Sequence, residues 1–182
     1  MNETKEFIER KGEIIKEAKE IRIKALARKD SQYTLAYRYK LLNRYFGSAS
    51  TLLSAIVGTA IFGAFKKEDV SDGDYNTIKL IVGIVSIAAT GSTALLTFGK
   101  FSQKAELCKK SSNAYEAVSG DINTYLHKYN VGNPSKFQFD EAIKDLDSIK
   151  KSFQKVNDSA STVFSDKLYE KMLLRYYEDL DS

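Results

Sequence analysis

Two uncharged segments of bilayer-spanning length constrain this chain more than any other feature. The first runs from Tyr45 to Phe65 and the second from Leu80 to Gly99, and neither contains Asp, Glu, Lys, Arg or His. At about 1.5 Å rise per residue, each would span about 30 Å as a helix, the hydrocarbon thickness of a bilayer. Basic residues that can reach lipid headgroups flank both segments: Arg44, Lys66, Lys79 and Lys100.

The alternative for these segments is a pair of buried helices in a soluble bundle. A domain of 182 residues has too little volume to enclose two such helices on every side, because surface dominates at this size. The charged fraction of 29% and the mean hydropathy of -0.35 are averages over the whole chain. They do not reveal the two segments, because the charges are concentrated outside them. We therefore predict two transmembrane helices. The charge-rich start of the chain also argues against a cleavable signal peptide.

The link between the two segments, residues 66–79, is short and polar, with a turn expected around Asp72–Asp74. A short link predicts an antiparallel hairpin, with Asp72 or Asp74 capping the second helix. Residues 28–44 contain five Lys or Arg, residues 100–115 contain four and the link contains three. This bias favours cytoplasmic termini in a multi-pass protein of the inner membrane.

The flanking regions predict helices, with apolar residues repeating at three, four and seven on one face. Before the first span these residues are Phe7, Ile8, Ile14, Ile15, Ala18, Ile21 and Ala25, and after the second span they are Phe101, Ala105, Cys108, Ser112, Tyr115, Ile122, Tyr125 and Tyr129. Over 139–156 they are Phe139, Ile143, Leu146, Ile149, Phe153 and Val156. One helix is expected before a break near Asp30–Ser31, and another leads from there into the first span. The helix of the second span should continue without interruption to about His127, and residues 130–134 should stop it. Two more helices should follow, one over 139–156 and one carrying Phe164 to Tyr176. The fold class is all-α.

Small and hydroxyl residues form a stripe along each span. On the second span the stripe shares one helical face, and it predicts either a weakly polar pore wall or a helix-packing surface: Gly83, Ser86, Thr90, Thr93 and Thr97. On the first span packing is the preferred interpretation: Gly47, Thr51, Ser54 and Gly58. Neither span carries an ionisable group of the kind that coupled transporters need within the membrane.

Basic residues before the first span, Arg38, Lys40 and Arg44, are candidates for contact with anionic lipid or with a ligand, or they form a solvated belt. With one Cys and one His, the chain has no material for a disulfide, a multi-cysteine metal site or a His pair. Phosphate-binding glycine loops are missing, and the net charge of +4 is too small and too spread for a nucleic-acid binder. We expect no enzyme activity, cofactor or metal.

Three stretches of the chain form a distinctive pattern around the spans: AYRYKLLNRYFG at 36–47, LSAIVGTAIF at 53–62 and FSQKAE at 101–106. In these stretches the sequence resembles the SLATT family of two-transmembrane proteins, and the resemblance covers roughly residues 25–130. Where the family often has His after the Ala-Glu pair, this chain has Leu107–Cys108. The resemblance implies a membrane effector of bacterial conflict and antiviral defence. Such effectors are coupled to nucleotide-signal synthases or nucleotide-sensing partners and are predicted to open pores.

These observations combine into one prediction. A cytoplasmic helical segment, 1–44, precedes a transmembrane hairpin, 45–99, and cytoplasmic helices follow over 100–182. Two helices per chain cannot enclose a pore, so a pore requires a homo-oligomer. The leading hypothesis is an oligomeric pore-forming effector that responds to a nucleotide-type or partner signal. The alternative is a membrane scaffold or sensor, without a pore, that holds a cytoplasmic partner at the membrane.

Overall fold

The computed structural model describes the backbone of residues 2–65, 72–130, 138–160 and 164–181. It describes the side chains of residues 5–59, 77, 79–129, 138–160 and 164–178. Within these ranges the chain is helical and contains no strand, which confirms the all-α class. The helices, in chain order, are α1 (Asn2–Phe65), α2 (Asp72–Gly99), α3 (Phe101–Asn130), α4 (Phe139–Ser159) and α5 (Asp166–Asp181).

The chain divides into two compact units. One consists of residues 1–36 and 106–182, and we call it the helical unit; the other consists of residues 37–105, and we call it the apolar unit. The predicted membrane segment, 45–99, lies inside the apolar unit. Helices α1 and α3 each contribute residues to both units.

The core of the helical unit forms where α1, α3 and α4 pack together. Its buried residues repeat at three, four and seven on each helix: Ile15, Ala18, Ile21, Ala25, Val118, Ile122, Tyr125, Tyr129, Ala142, Leu146 and Ile149. The sequence pattern predicted all of these residues except Val118 and Ala142. Phe7, at the start of α1, packs edge-on against Phe139, with ring centroids 5.0 Å apart. Ile8, predicted on the same apolar face of α1, is instead 63% exposed.

The predicted break near Asp30–Ser31 is wrong, because α1 continues through it as one helix. Ser31 Oγ donates to the Arg28 carbonyl at 2.9 Å, and Thr34 Oγ1 donates to the Asp30 carbonyl at 2.8 Å. Such hydroxyls bond back to the preceding turn and leave the helix intact. The Asp30 carboxylate accepts a hydrogen bond from Tyr176 of α5. Asp30 therefore makes a tertiary contact and does not mark the end of a helix.

The uninterrupted helix predicted from the second span to His127 is also wrong. The chain kinks at Lys100, which has a φ of 47° and separates α2 from α3. At its other end α2 begins at Asp72, so the turn expected around Asp72–Asp74 is helical, while residues 66–71 of the predicted link lie outside the described residues. The stop predicted at 130–134 falls mostly outside them too; α3 ends at Asn130.

Candidate functional site

Helix α2 presents a long apolar surface that the chain itself does not cover. Within the described residues, one helical stretch is long and apolar enough to cross a membrane, judged by length and composition. It runs from Lys79 to Tyr129 through the Lys100 kink, and its apolar window has a mean hydropathy of 1.9 with 6% of its residues buried. The core helix of a soluble bundle would be mostly buried. The uncovered side chains are large: Leu80, Ile81, Ile84, Ile87, Leu95 and Phe98.

The first predicted span is described only in part, since the side chains of residues 60–65 lie outside the described set. Leu52 and Ile56 in its described part are 65% and 52% exposed. The exposed apolar surface of the apolar unit therefore includes side chains of α1 as well as side chains of α2.

Helices α1 and α2 lie side by side in the apolar unit. Ser50 Oγ and Thr93 Oγ1 share a hydrogen bond of 2.7 Å, and Phe46 stacks on Phe101 just after α2. As the residue number rises along α1, the number of its partner falls, which is the pairing of antiparallel helices. The side of α1 that is half-buried in this pair repeats at three and four: Phe46, Ser50, Leu53 and Val57.

The small residues predicted to pack on the first span are distributed around this contact. Gly47 and Gly58 are half-buried, whereas Thr51 and Ser54 are exposed. A Cβ atom added to Gly47 or Gly58 would meet nothing within 4 Å. Glycine is therefore not required at these two positions for the pairing of α1 with α2 inside one chain.

The stripe predicted on the second span borders the same contact. Ser86 is half-buried, Thr93 bonds to Ser50, and the other members, Gly83, Thr90 and Thr97, are exposed. Each hydroxyl donates to a carbonyl four residues earlier, at 2.7 Å for Ser86, 2.9 Å for Thr90 and 3.0 Å for both Thr93 and Thr97. Because these donors are satisfied within the helix, the stripe can face lipid, another helix or water.

The basic residues predicted to contact lipid or a ligand, Arg38, Lys40 and Arg44, are exposed on α1. None forms an ion pair with another described residue. Tyr37 and Tyr45, which alternate with them, are 63% and 73% exposed. Exposed tyrosines beside basic residues are typical of the headgroup region of a bilayer.

The kink after α2 brings together residues that the sequence analysis did not connect. The Phe101 ring stacks on Tyr39 and Phe46 of α1, with centroids 6.3 and 6.0 Å apart and planes inclined by 20° and 15°. Lys104 Nζ lies 5.8 Å from the Tyr39 ring centroid. Gly99, at the end of an apolar run, was the available signal, because glycine is the usual helix-ending residue.

Arg28 is the centre of an aromatic cluster in the helical unit, which the sequence analysis also missed. Its guanidinium carbon lies 4.9 to 6.0 Å from the centroids of four rings contributed by α3, α4 and the region of α5: Tyr115, Phe153, Phe164 and Tyr169. Arg28 Nη1 donates to Tyr115 Oη at 3.5 Å, and Tyr115 Oη donates to Asn157 Oδ1 at 2.8 Å. Burial raises the pKa of Tyr115, and the nearby guanidinium opposes that rise. The cluster joins side chains from α1, α3, α4 and the region of α5, which lie far apart in the sequence. No local motif therefore predicts it.

A second polar cluster fastens the end of α3 to α4. Lys128 Nζ donates to Glu141 at 2.8 Å and to Asp145 at 2.9 Å, and Tyr129 Oη donates to Asp145 at 2.7 Å. The hydrogen bonds from Tyr129 and Lys128 lower the pKa of Asp145. Because about half of the side-chain surface of Lys128, Glu141 and Asp145 is exposed, each ion pair contributes at most about 1 kcal/mol to the attachment of α3 to α4.

Cys108 and His127 belong to the residue types that most often react or bind metals, and both lie on α3. Among the described residues, no group of three or more His, Cys, Asp or Glu is placed to hold a metal ion. Burial raises the pKa of the Cys108 thiol, which keeps it protonated and unreactive at neutral pH. His127 is exposed on α3.

Comparisons of the chain with protein-family models, with curated proteins and with solved structures found no match.

Proposed function

We propose that the apolar unit is a two-helix transmembrane hairpin and that the protein acts in a membrane. The uncovered surface of α2 carries this proposal. Burying one Leu, Ile or Phe side chain is worth about 1.5–3 kcal/mol. The six side chains are 50–83% exposed, so in water they would forgo about 6–12 kcal/mol, which is comparable to the whole stability of a typical domain. An apolar surrounding removes that penalty.

Lipid is a better surrounding than a soluble partner because the uncharged segments have no polar side of the kind that a surface helix carries. The exposed Arg38, Lys40 and Arg44, with Tyr37 and Tyr45, then lie at the headgroup level on one side of the membrane. We propose an inner-membrane location with both termini in the cytoplasm, in line with the Lys and Arg bias.

Two experiments test this placement. The protein should stay in the membrane pellet during carbonate extraction, and its release into the supernatant would contradict membrane integration. In a Cys108→Ser background, Gly73→Cys should react with an impermeant thiol reagent from outside the cell, and Ser182→Cys should not. The reverse labelling pattern would show that the charge bias gave the wrong orientation. Residue 182 lies outside the described residues, and of Gly73 only the backbone is described.

Within the membrane we propose an oligomeric effector of the SLATT type, which perturbs the bilayer when the helical unit receives a nucleotide-type or partner signal. The resemblance at 36–47 and 53–62 supports it. The exposed positions of the α2 stripe also support it, because Gly83, Thr90 and Thr97 are exposed and can line a pore between copies. A lining of hydroxyls and glycine wets reluctantly when narrow, which suits a pore that stays closed until signalled.

The pore is tested with exposed members of the stripe. Thr90→Leu combined with Thr97→Leu removes two exposed hydroxyls that donate hydrogen bonds within α2, and it should abolish dye leakage from liposomes while leaving oligomerisation intact. Ala88→Leu, which is exposed but off the stripe, is the control. Thr93 is avoided because its bond to Ser50 would confuse a pore effect with a packing effect. Leakage at the parental rate from the double variant would remove the stripe as a pore wall.

A second candidate function, a membrane scaffold or sensor without a pore, is favoured by the self-satisfied hydroxyls of the stripe. Ser86, Thr90, Thr93 and Thr97 all bond to their own helix, so none of them needs water. In this function the helical unit holds a partner at the membrane. An absence of leakage from parental protein that is fully inserted and oligomeric would favour the scaffold.

A further inference from the structure

The junction between α2 and α3 is built from a backbone conformation that its residue disfavours. Lys100 has a φ of 47°, in the left-handed region, and it is the one non-glycine residue with positive φ in the described chain. This conformation is unfavourable for residues other than glycine, because their Cβ atom approaches the following carbonyl oxygen. Glycine usually occupies such a position at the end of a helix. Here Gly99 comes one residue earlier and is helical.

Gly99 serves a different purpose, which is to make room for Phe101. A Cβ atom at residue 99 would lie 2.6 Å from Cζ and 2.7 Å from Cε2 of the Phe101 ring. The ring folds back against the end of α2 in the space that a side chain would fill. Any residue larger than glycine at position 99 must displace it.

Phe101 is held in that place by α1. Its ring lies nearly parallel to those of Tyr39 and Phe46, at 6.3 and 6.0 Å. The Lys104 backbone N–H donates to the Lys100 carbonyl at 2.9 Å, so α3 starts its hydrogen bonds directly after the kink. The kink, the glycine and the aromatic stack thus depend on one another, and all of them belong to the apolar unit.

We propose that Gly99–Phe101 is a two-state hinge. In the kinked state, Lys100 is left-handed and Phe101 stacks on Tyr39 and Phe46. In the straight state, Lys100 takes helical angles, α2 and α3 form one continuous helix, and Phe101 leaves the stack.

The two states are closely balanced because the opposing effects are of similar size. The left-handed conformation at a residue other than glycine disfavours the kinked state by roughly 5- to 30-fold. Each aromatic pair favours it by roughly 2- to 12-fold beyond simple burial. Like the left-handed penalty at Lys100, helix continuity favours the straight state, although glycine at position 99 weakens that preference. A small change in free energy on either side of the hinge is therefore sufficient to change the populations of the kinked and straight states.

The hinge is tested by measuring distances between spin labels in protein reconstituted in lipid. Labels are placed on α1 and α3 with Tyr45→Cys and Gln103→Cys, both at exposed positions, in a Cys108→Ser background. The parent should give two distance populations. Lys100→Gly should lower the ratio of straight to kinked molecules by roughly 5- to 30-fold, because glycine takes the left-handed conformation without penalty.

Gly99→Ala should shift the balance the other way, raising the ratio of straight to kinked molecules at least fivefold, because the added methyl group collides with Phe101 and favours helix. Gly91→Ala is the matched control: it is the same substitution in the same helix, and its Cβ meets nothing within 4 Å. It should leave the populations unchanged.

Two results would overturn the proposal. One is an identical single population in the parent, Lys100→Gly and Gly99→Ala, which would make the junction a rigid bend. The other is an equal shift from Gly91→Ala and Gly99→Ala, which would assign the effect to helix propensity alone. If Gly99→Ala fails to fold, Lys100→Gly still decides between hinge and bend. The readout does not depend on leakage, so failure of the pore leaves the hinge testable.

Discussion

Replacing Arg28 with Met should loosen α5 selectively. Arg28 lies closest to Tyr169, at 4.9 Å, and to Phe164, at 5.2 Å. These rings belong to α5 and to the residues just before it. Beyond the cluster, α5 is fastened by the buried Leu168 and by the hydrogen bond from Tyr176 to Asp30. The guanidinium is thus one of a small number of attachments that hold this helix.

The expected loss follows from the burial and the geometry. A cation over an aromatic face contributes about 0.5–1 kcal/mol when exposed and about 2 kcal/mol when desolvated. Arg28 is half-buried, and methionine keeps the apolar stem, so we expect the attachment of α5 to weaken by about 1–2 kcal/mol. The bond to Tyr115, at 3.5 Å, is too long to add much. Exchange rates of α5 amides that open locally should rise by roughly 5- to 30-fold.

Hydrogen exchange followed by mass spectrometry on full-length protein in detergent or lipid measures this change. Peptides from α5 should exchange faster, while peptides from the middle of α4 should keep their parental rates. Arg10→Met is the matched control, because Arg10 lies over the single ring of Phe139, at 5.3 Å, near the start of α4. If α5 changes by less than threefold, or if α3 and α4 loosen equally, Arg28 supports the whole core and is not an anchor for α5.

Three further predictions concern stability. Burial, with smaller contributions from Tyr129 and Asp145, raises the pKa of Tyr125 to about 12, above the ordinary value of 10. Stability should therefore be intact below pH 10 and fall by roughly 1.4 kcal/mol per pH unit as pH rises from 10 to 12. Tyr125→Phe should flatten that decline and stabilise the protein at neutral pH by about 1 kcal/mol, because the buried hydroxyl has no hydrogen-bond partner among the described residues. An alkaline denaturation curve identical to the parent's would contradict this. Gly120→Ala should raise the thermal midpoint through about 0.5–1 kcal/mol of helix propensity, since its Cβ meets nothing within 4 Å, and a lower midpoint would argue against the open space there. Ser50→Ala should weaken the α1–α2 contact by about 1 kcal/mol, measured as a lower thermal midpoint in detergent. Ser54→Ala, at an exposed position, is the control. Equal effects of the two substitutions would show that the hydrogen bond to Thr93 adds nothing to stability.

The helical unit was largely predictable from the sequence because one face of each helix must leave water. The spacing of Ile15, Ala18 and Ile21 on α1, and of Ile122 and Tyr125 on α3, already identified the buried side. The helix ends were less predictable. Asp30 and Ser31 have the composition of a break, yet they continue α1 because their polar groups find partners in the preceding turn and in α5.

The candidate site was predictable in its chemistry but not in its geometry. The uncharged segments, the hydroxyl stripe and the basic residues before the first span are local properties, so the sequence by itself determined that an apolar helical surface exists and which residues occupy it. Only the tertiary structure decided that Thr93 bonds to Ser50 while Thr90 stays exposed. It also decided that Phe101 folds under Gly99 onto Tyr39 and Phe46, and that four distant rings surround Arg28. Hydropathy and helix propensity depend on neighbours along the chain, whereas these contacts depend on which faces meet when separate helices pack.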